Sequence, residues 1–104
     1  MTVEALPNGG VVVQVEGDLD MATSSRLTEA LERADAGDRI IVDLSECTFL
    51  DSSAVRVLVA GARTAQTAGG DMALVARDPG IRRVLEIAAI DELLPVHETR
   101  EAAL

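Results

Sequence analysis

The stretch Phe49-Leu50-Asp51-Ser52-Ser53-Ala54-Val55-Arg56-Val57-Leu58-Val59 sets one carboxylate and two hydroxyls between apolar runs. Two kinds of chemistry fit. Serine and aspartate favour helix starts, where a side-chain oxygen accepts from a first-turn amide and a negative charge meets the positive end of the helix dipole. Capping of this kind accounts for all three residues, with a serine as N-cap and Asp51 adding charge. A hydroxyl at a helix start is also open to a partner and surrounded by amide donors. Phosphorylated, Ser52 would gain about −1.5 to −2 charges at neutral pH. Helix amides can hold such a group without unfolding the domain, although Asp51 would repel it. A partner shaped for the neutral surface would meet a dianion instead, and a poorly paired charge in an interface costs on the order of 2–5 kcal/mol.

Other residues invite other chemistry. Asp18 and Asp20 straddle Leu19 and precede Thr23, a pattern that can hold magnesium in phosphohydrolases, and Asp43 and Asp51 are candidates to join them. A solvated turn followed by a helix cap explains the same aspartates. The chain has no lysine, so the residue that steadies the anion in P-loops and in receiver-type phosphoaspartate domains has no candidate. A serine hydrolase elbow needs G-x-S-x-G, whereas Ser52 lies in Leu50-Asp51-Ser52-Ser53-Ala54. His97 is the sole histidine and reads as an edge residue. With Cys47 alone it is too little for a metal site, and Cys47 reads as a small buried residue. Arg82-Arg83 reads as a solvated face, too small for a nucleic-acid patch.

Several elements must position these groups. Residues 3–6 predict a short strand, 7–10 (Pro-Asn-Gly-Gly) a turn, and 11–16 a second strand with Val11, Val13 and Val15 on one face. Gly17-Asp18-Leu19-Asp20 reads as a strand break. Helical spacing over 22–36 puts Leu27, Ala30, Leu31 and Ala34 on one face, with Asp20 or Thr23 as cap and Gly37 as stop. Residues 39–44 predict a strand covered on both sides, and 53–68 a helix with Val55, Leu58, Val59 and Ala62 inward, stopped by Gly69-Gly70. A strand over 72–76 follows. Asp78-Pro79 then opens a helix with Ile81, Val84, Leu85 and Ala88 inward. An extra turn over 91–94, a strand over 95–97 and a short helix or tail over 99–104 complete the order. Strands alternating with helices through right-handed crossovers lie parallel. The expectation is one α/β domain, 1–104, with a mixed, mostly parallel sheet, an N-terminal hairpin and three to four helices. Gly17 to Asp20 and Phe49 to Ser53 would both lie at carboxyl ends of strands, where such folds place sites.

Composition narrows the function classes. The chain has 104 residues, a net charge of −9, and one cysteine. One domain of this size buries roughly two-thirds of its unfolded surface, enough for a core without disulfides. Acidity repels nucleic acids and anionic lipids. Phe49 is the only aromatic residue, so there is no stacking platform for single strands. No apolar run approaches the roughly 18 residues that span a bilayer, nothing reads as a signal peptide, and a single cysteine fits a reducing compartment. A cytoplasmic binding protein is the expectation.

The ordered set of motifs resembles a known family. Phe49-Leu50-Asp51-Ser52-Ser53 before an apolar helix is similar to the signature of STAS domains, especially the anti-sigma factor antagonists. Gly17-Asp18-Leu19-Asp20, Ile40-Ile41-Val42-Asp43-Leu44, Gly69-Gly70 and Ile81-Arg82-Arg83-Val84-Leu85 fall in that family's order across nearly the whole chain. The resemblance implies a STAS-like fold and a partner-switching role without catalysis or cofactor. Ser52, with Ser53 as second choice, would be phosphorylated by an anti-sigma factor serine kinase that binds ATP and magnesium itself. The unphosphorylated form would sequester that kinase and free a sigma factor, and a serine phosphatase would reset the switch. Asp18, Asp20, Asp51, Ser53, Ala54 and Arg56 would meet the partner. Where the family carries glycines after the two serines, this chain has Ala54 and Arg56, and Arg56 can pair with a phosphate or alter partner choice. A stand-alone STAS subunit of a lipid-transport complex or signalling scaffold, and a magnesium-dependent phosphohydrolase, are the alternative readings.

Overall fold

The computed structural model of the protein describes residues 1–7, 9–34 and 39–104. Its elements run β1 (Thr2–Ala5), β2 (Val11–Leu19), α1 (Ser24–Arg33), β3 (Arg39–Leu50), α2 (Ser52–Thr67), β4 (Asp71–Val75) and α3 (Pro79–Ile87). A 3-10 turn (Ile90–Glu92), β5 (Val96–His97) and α4 (Arg100–Ala103) complete the chain. The expected α/β order is present. The five strands pair in the order β1-β2-β3-β4-β5, with β1 antiparallel to β2 and all other pairs parallel.

Alternation along the strands divides the core. Val13, Val15, Ile40, Val42, Met72 and Leu74 turn to one face, where Leu27 and Ala30 of α1, Leu58 and Ala62 of α2, and Ile81 and Leu85 of α3 cover them. Val12, Ile41 and Val75 turn to the other face and meet Ala103 of α4. That second face also carries the buried acid. Asp43 is only 4% exposed, and its Oδ2 accepts from Arg100 Nε at 2.6 Å while its Oδ1 accepts from Ser45 N at 2.9 Å. Arg100 reaches Gln14 Oε1 at 2.9 Å as well, so one guanidinium holds α4 to β2 and β3.

Four sequence expectations are corrected. The second strand continues through Gly17 to Leu19, because Gly17 takes φ +75° and register shifts absorb the irregularity. The third strand continues to Leu50. Its first part, Ile40 to Asp43, pairs with both β2 and β4, whereas Glu46 to Leu50 pair with β2 alone. The sheet therefore narrows to a two-stranded ribbon of β2 and β3 beyond β4. In α2 the seam is rotated: Ala54, Leu58, Ala62 and Ala65 are buried, and Val55 and Val59 lie beside them half-buried. Ala88 is exposed, because α3 ends at Ile87 and Ala89 turns the chain at φ +57°. In α1 the face of Leu27, Ala30 and Ala34 is buried with Leu31 packed beside it. Ala36 and Gly37, expected at its end, and Asn8 of the first turn lie outside the described residues.

Candidate functional site

The narrow end of the sheet positions the residues singled out in the sequence. Register sets Asp18 opposite Phe49 and Leu19 opposite Leu50. Both leucines are buried, which anchors the ribbon's end to the core. Asp51 N donates to Leu19 O at 3.2 Å, so the two strands stay joined where each gives way to its helix.

Asp51 caps α2. Its Oδ1 accepts from Ala54 N at 3.1 Å, and its backbone is extended at φ −111°. The sequence reading gave that cap to a serine. Instead Ser52 is the first helical residue and Ser53 the second, and neither hydroxyl has a hydrogen-bond partner among the described residues. Ser52 is exposed and Ser53 half-buried. Asp51 also reaches across the site: its Oδ2 accepts from Met21 N at 3.1 Å. One carboxylate thus fixes the start of α2 and the loop between β2 and α1 to each other.

That loop is ordered by Asp20. Its Oδ1 accepts from Ala22 N at 3.0 Å and Thr23 N at 3.1 Å, and Thr23 Oγ1 accepts from Asp20 N at 2.9 Å while donating to Asp18 O at 2.9 Å. Thr23 is the residue before α1 but makes no side-chain cap to it; its hydroxyl serves the loop. Asp18 Oδ1 accepts from Thr48 Oγ1 at 3.0 Å. Asp18, Asp20 and Asp51 are thereby gathered at one end of the sheet, but as acceptors for amides and hydroxyls. Asp43 does not join them. It faces the α4 side, where burial pushes its pKa up and the hydrogen bonds from Ser45 and Arg100 outweigh that, holding it below the usual carboxylate range.

Ala54 is buried against the core at a helical position. The backbone there needs no positive φ, so alanine replaces glycine without strain and favours the helix. Arg56 is exposed one turn beyond Ser52, and it also lines the groove between α1 and α2 with Thr28 and Glu32. Cys47 is buried, its Sγ lies 3.2 Å from Phe49 O, and burial pushes its thiol pKa up, as suits an inert packing residue. Arg82, expected on a solvated face, is half-buried and donates to Ala76 O at 2.9 Å.

Met21 was missed in the sequence, and Phe49 was read only as the start of the serine stretch. Met21 is 79% exposed and Phe49 50% exposed. Each had a signal: Met21 is the lone large apolar side chain in a polar loop, and Phe49 is the lone aromatic of the chain.

Comparison with known proteins agrees with this fold. The chain is 30% identical over 101 residues to the anti-sigma-F factor antagonist RsfA of Mycobacterium tuberculosis, covering 93% of this chain and 79% of that one. It is 27% identical over 100 residues to the anti-sigma F factor antagonist of Paenibacillus polymyxa, covering 92% and 85%. The crystal structure of an anti-sigma factor antagonist from Mycobacterium paratuberculosis superposes with a TM-score of 0.86 at 29% identity, over 98% of this chain and 87% of that one. Residues 2–103 match the STAS domain, and the chain belongs to that family.

Proposed function

We propose that this protein is an anti-sigma factor antagonist, a binding switch that captures an anti-sigma factor and is released by phosphorylation of Ser52. One observation carries the reading. Ser52 opens α2 with an exposed hydroxyl, while Asp51 beside it does the capping. The serine is thus spared for a partner. Relatives that match over most of their length bear the antagonist name. The partner is an anti-sigma factor that is also a serine kinase; ATP and magnesium belong to it, and a serine phosphatase reverses the reaction. This chain contributes the acceptor hydroxyl and the docking surface and performs no catalysis of its own. Asp18, Asp20, Asp51, Ser53, Ala54 and Arg56 form or shape that surface, and Ser53 is the second-choice acceptor.

The switch works by charge. A phosphate on Ser52 meets the first-turn amides of α2, so the fold need not rearrange. In the interface the added charge of about −1.5 to −2 is buried without a full complement of partners. A penalty on the order of 2–5 kcal/mol weakens binding at least about 30-fold. The test is incubation with the kinase and ATP, followed by mass spectrometry, and titration of the partner with Ser52→Asp. Phosphate on Ser52 and weakened binding by Ser52→Asp are expected. No phosphate on Ser52 or Ser53, together with unchanged binding by Ser52→Asp, refutes the proposal.

A further inference from the structure

We infer that Met21 and Phe49 are the apolar anchors by which the unphosphorylated protein docks, and that the matching face of the anti-sigma factor has apolar pockets ringed by basic side chains. The inference rests on the antagonist reading above and names the chemistry of that partner. Among the described residues six large apolar side chains are exposed: Met1, Val3, Met21, Phe49, Ile87 and Leu104. Met1, Val3 and Leu104 lie at or near the chain ends, and Ile87 at the end of α3. Met21 lies in the loop after β2 with its amide bonded to Asp51, and Phe49 lies on β3 two residues before Asp51; they are 79% and 50% exposed. Methionine and aromatic side chains are enriched at the cores of interfaces, where few residues carry most of the affinity.

The backbone that carries each anchor is fixed before any partner arrives. Phe49 is on β3, paired with Asp18 of β2. Met21 has its amide bonded to Asp51 Oδ2 at 3.1 Å, and Asp51 is fixed to α2 through Ala54 N at 3.1 Å. A fixed backbone leaves less freedom to be lost on binding. The same bond places Met21 against the residue next to Ser52. A phosphate on Ser52 therefore brings a strongly hydrated dianion beside an anchor that must be desolvated for docking, which explains why charge alone breaks the contact.

The ring of charge follows from register. Glu16 lies opposite Glu46 on the β2–β3 ribbon, both exposed, with Asp18 two residues further along. Like charges set directly opposite destabilise a sheet. No basic residue occurs in β2 or in β3 after Arg39. A basic rim on the partner relieves that repulsion and speeds encounter with a chain of net charge −9.

The test uses the full chain and each anti-sigma factor encoded by the source genome, purified and titrated calorimetrically. Met21→Ser and Phe49→Ser each weaken binding about 10-fold or more, Ile87→Ser changes it less than about 2-fold, and the wild-type affinity falls as salt rises. Circular dichroism checks the fold, and the highly exposed Met21 keeps the test valid if Phe49→Ser unfolds. Wild-type binding that Met21→Ser leaves within about 2-fold overturns the anchors while the antagonist reading stands. Affinity independent of salt overturns the basic rim. Failure of every anti-sigma factor to bind the wild type overturns both readings.

Discussion

Replacing Asp51 by alanine removes two acceptors at once. The first is the α2 cap, Oδ1 to Ala54 N at 3.1 Å, and such caps contribute about 0.5–2 kcal/mol. The second is the bond from Met21 N to Oδ2 at 3.1 Å, worth about 0.5–1.5 kcal/mol net. The expected loss is about 2 kcal/mol. For a domain near this size that lowers Tm by roughly 10 °C. Urea melts should show a lower midpoint with an unchanged slope, since the surface exposed on unfolding is the same. Asp51→Asn separates the two bonds, because its Oδ1 still caps while its amide nitrogen cannot accept from Met21 N; about half of the loss should remain. Hydrogen exchange at the Met21 amide should quicken in both variants. Ser52→Ala is the control: an exposed hydroxyl without a partner should cost less than about 0.5 kcal/mol. If Asp51→Ala cost no more than Ser52→Ala, the capping assignment would be wrong, and with it the claim that Ser52 is spared for a partner.

Four further outcomes follow from the scaffold. Asp43 has its pKa depressed in the folded state by Ser45 and Arg100 against the opposing effect of burial, so its stabilising contribution is full above the ordinary aspartate range near 3.9 and is lost as pH falls through the folded value. Acid titration of stability should therefore be shallower below about pH 4 in Asp43→Asn, and Arg100→Gln should destabilise at neutral pH by about 1–3 kcal/mol by leaving a buried carboxylate short of a donor. Ala89→Gly should stabilise by about 0.5–1 kcal/mol in urea melts, because alanine there is held at φ +57°, which costs about 1–2 kcal/mol that glycine avoids, less the extra entropy glycine loses on folding. Gly10→Ala should destabilise by about 2 kcal/mol or more in the same assay, since φ is +94° and the new Cβ would lie 2.7 Å from Arg39 O.

Periodicity made the element order legible, and for a plain reason: each strand and helix buries one side, so the apolar spacing records it. The ends of the second and third strands were not legible. Gly17 has the composition of a break, yet its positive φ serves a bulge within a continuing strand. Ser45 to Phe49 alternate poorly because they pair with β2 alone and leave Glu46, Thr48 and Phe49 in solvent. That Asp18, Asp20 and Asp51 meet at one end of the sheet was legible from the order of motifs. The division of labour at the start of α2 was not. Asp51, Ser52 and Ser53 are each good caps by type, and only the extended backbone at Asp51 decides among them. The bond between Asp51 and Met21 spans 30 positions, and that between Arg100 and Asp43 spans 57. Pairings so distant leave no local trace in one sequence.

The same geometry supplies the proposed switch with a scaffold that need not rearrange. Ala54, Leu58, Ala62 and Ala65 set the inner side of α2 into the core, and the sheet beneath is close-packed, so a charge added at Ser52 has no soft element to displace. Its effect must appear at the surface. There the chain is already acidic: Glu16, Asp18 and Glu46 lie on the ribbon beside the site, against a net charge of −9. Arg56, exposed one helical turn from Ser52, is the local counterweight. A helical neighbour at that spacing contributes only about 0.2–0.5 kcal/mol. That is small beside the 2–5 kcal/mol at stake when a charge is poorly paired in an interface. On the proposed switch, Arg56 would therefore steady a phosphate in the free protein without rescuing the complex, and its presence would leave the switch its sign.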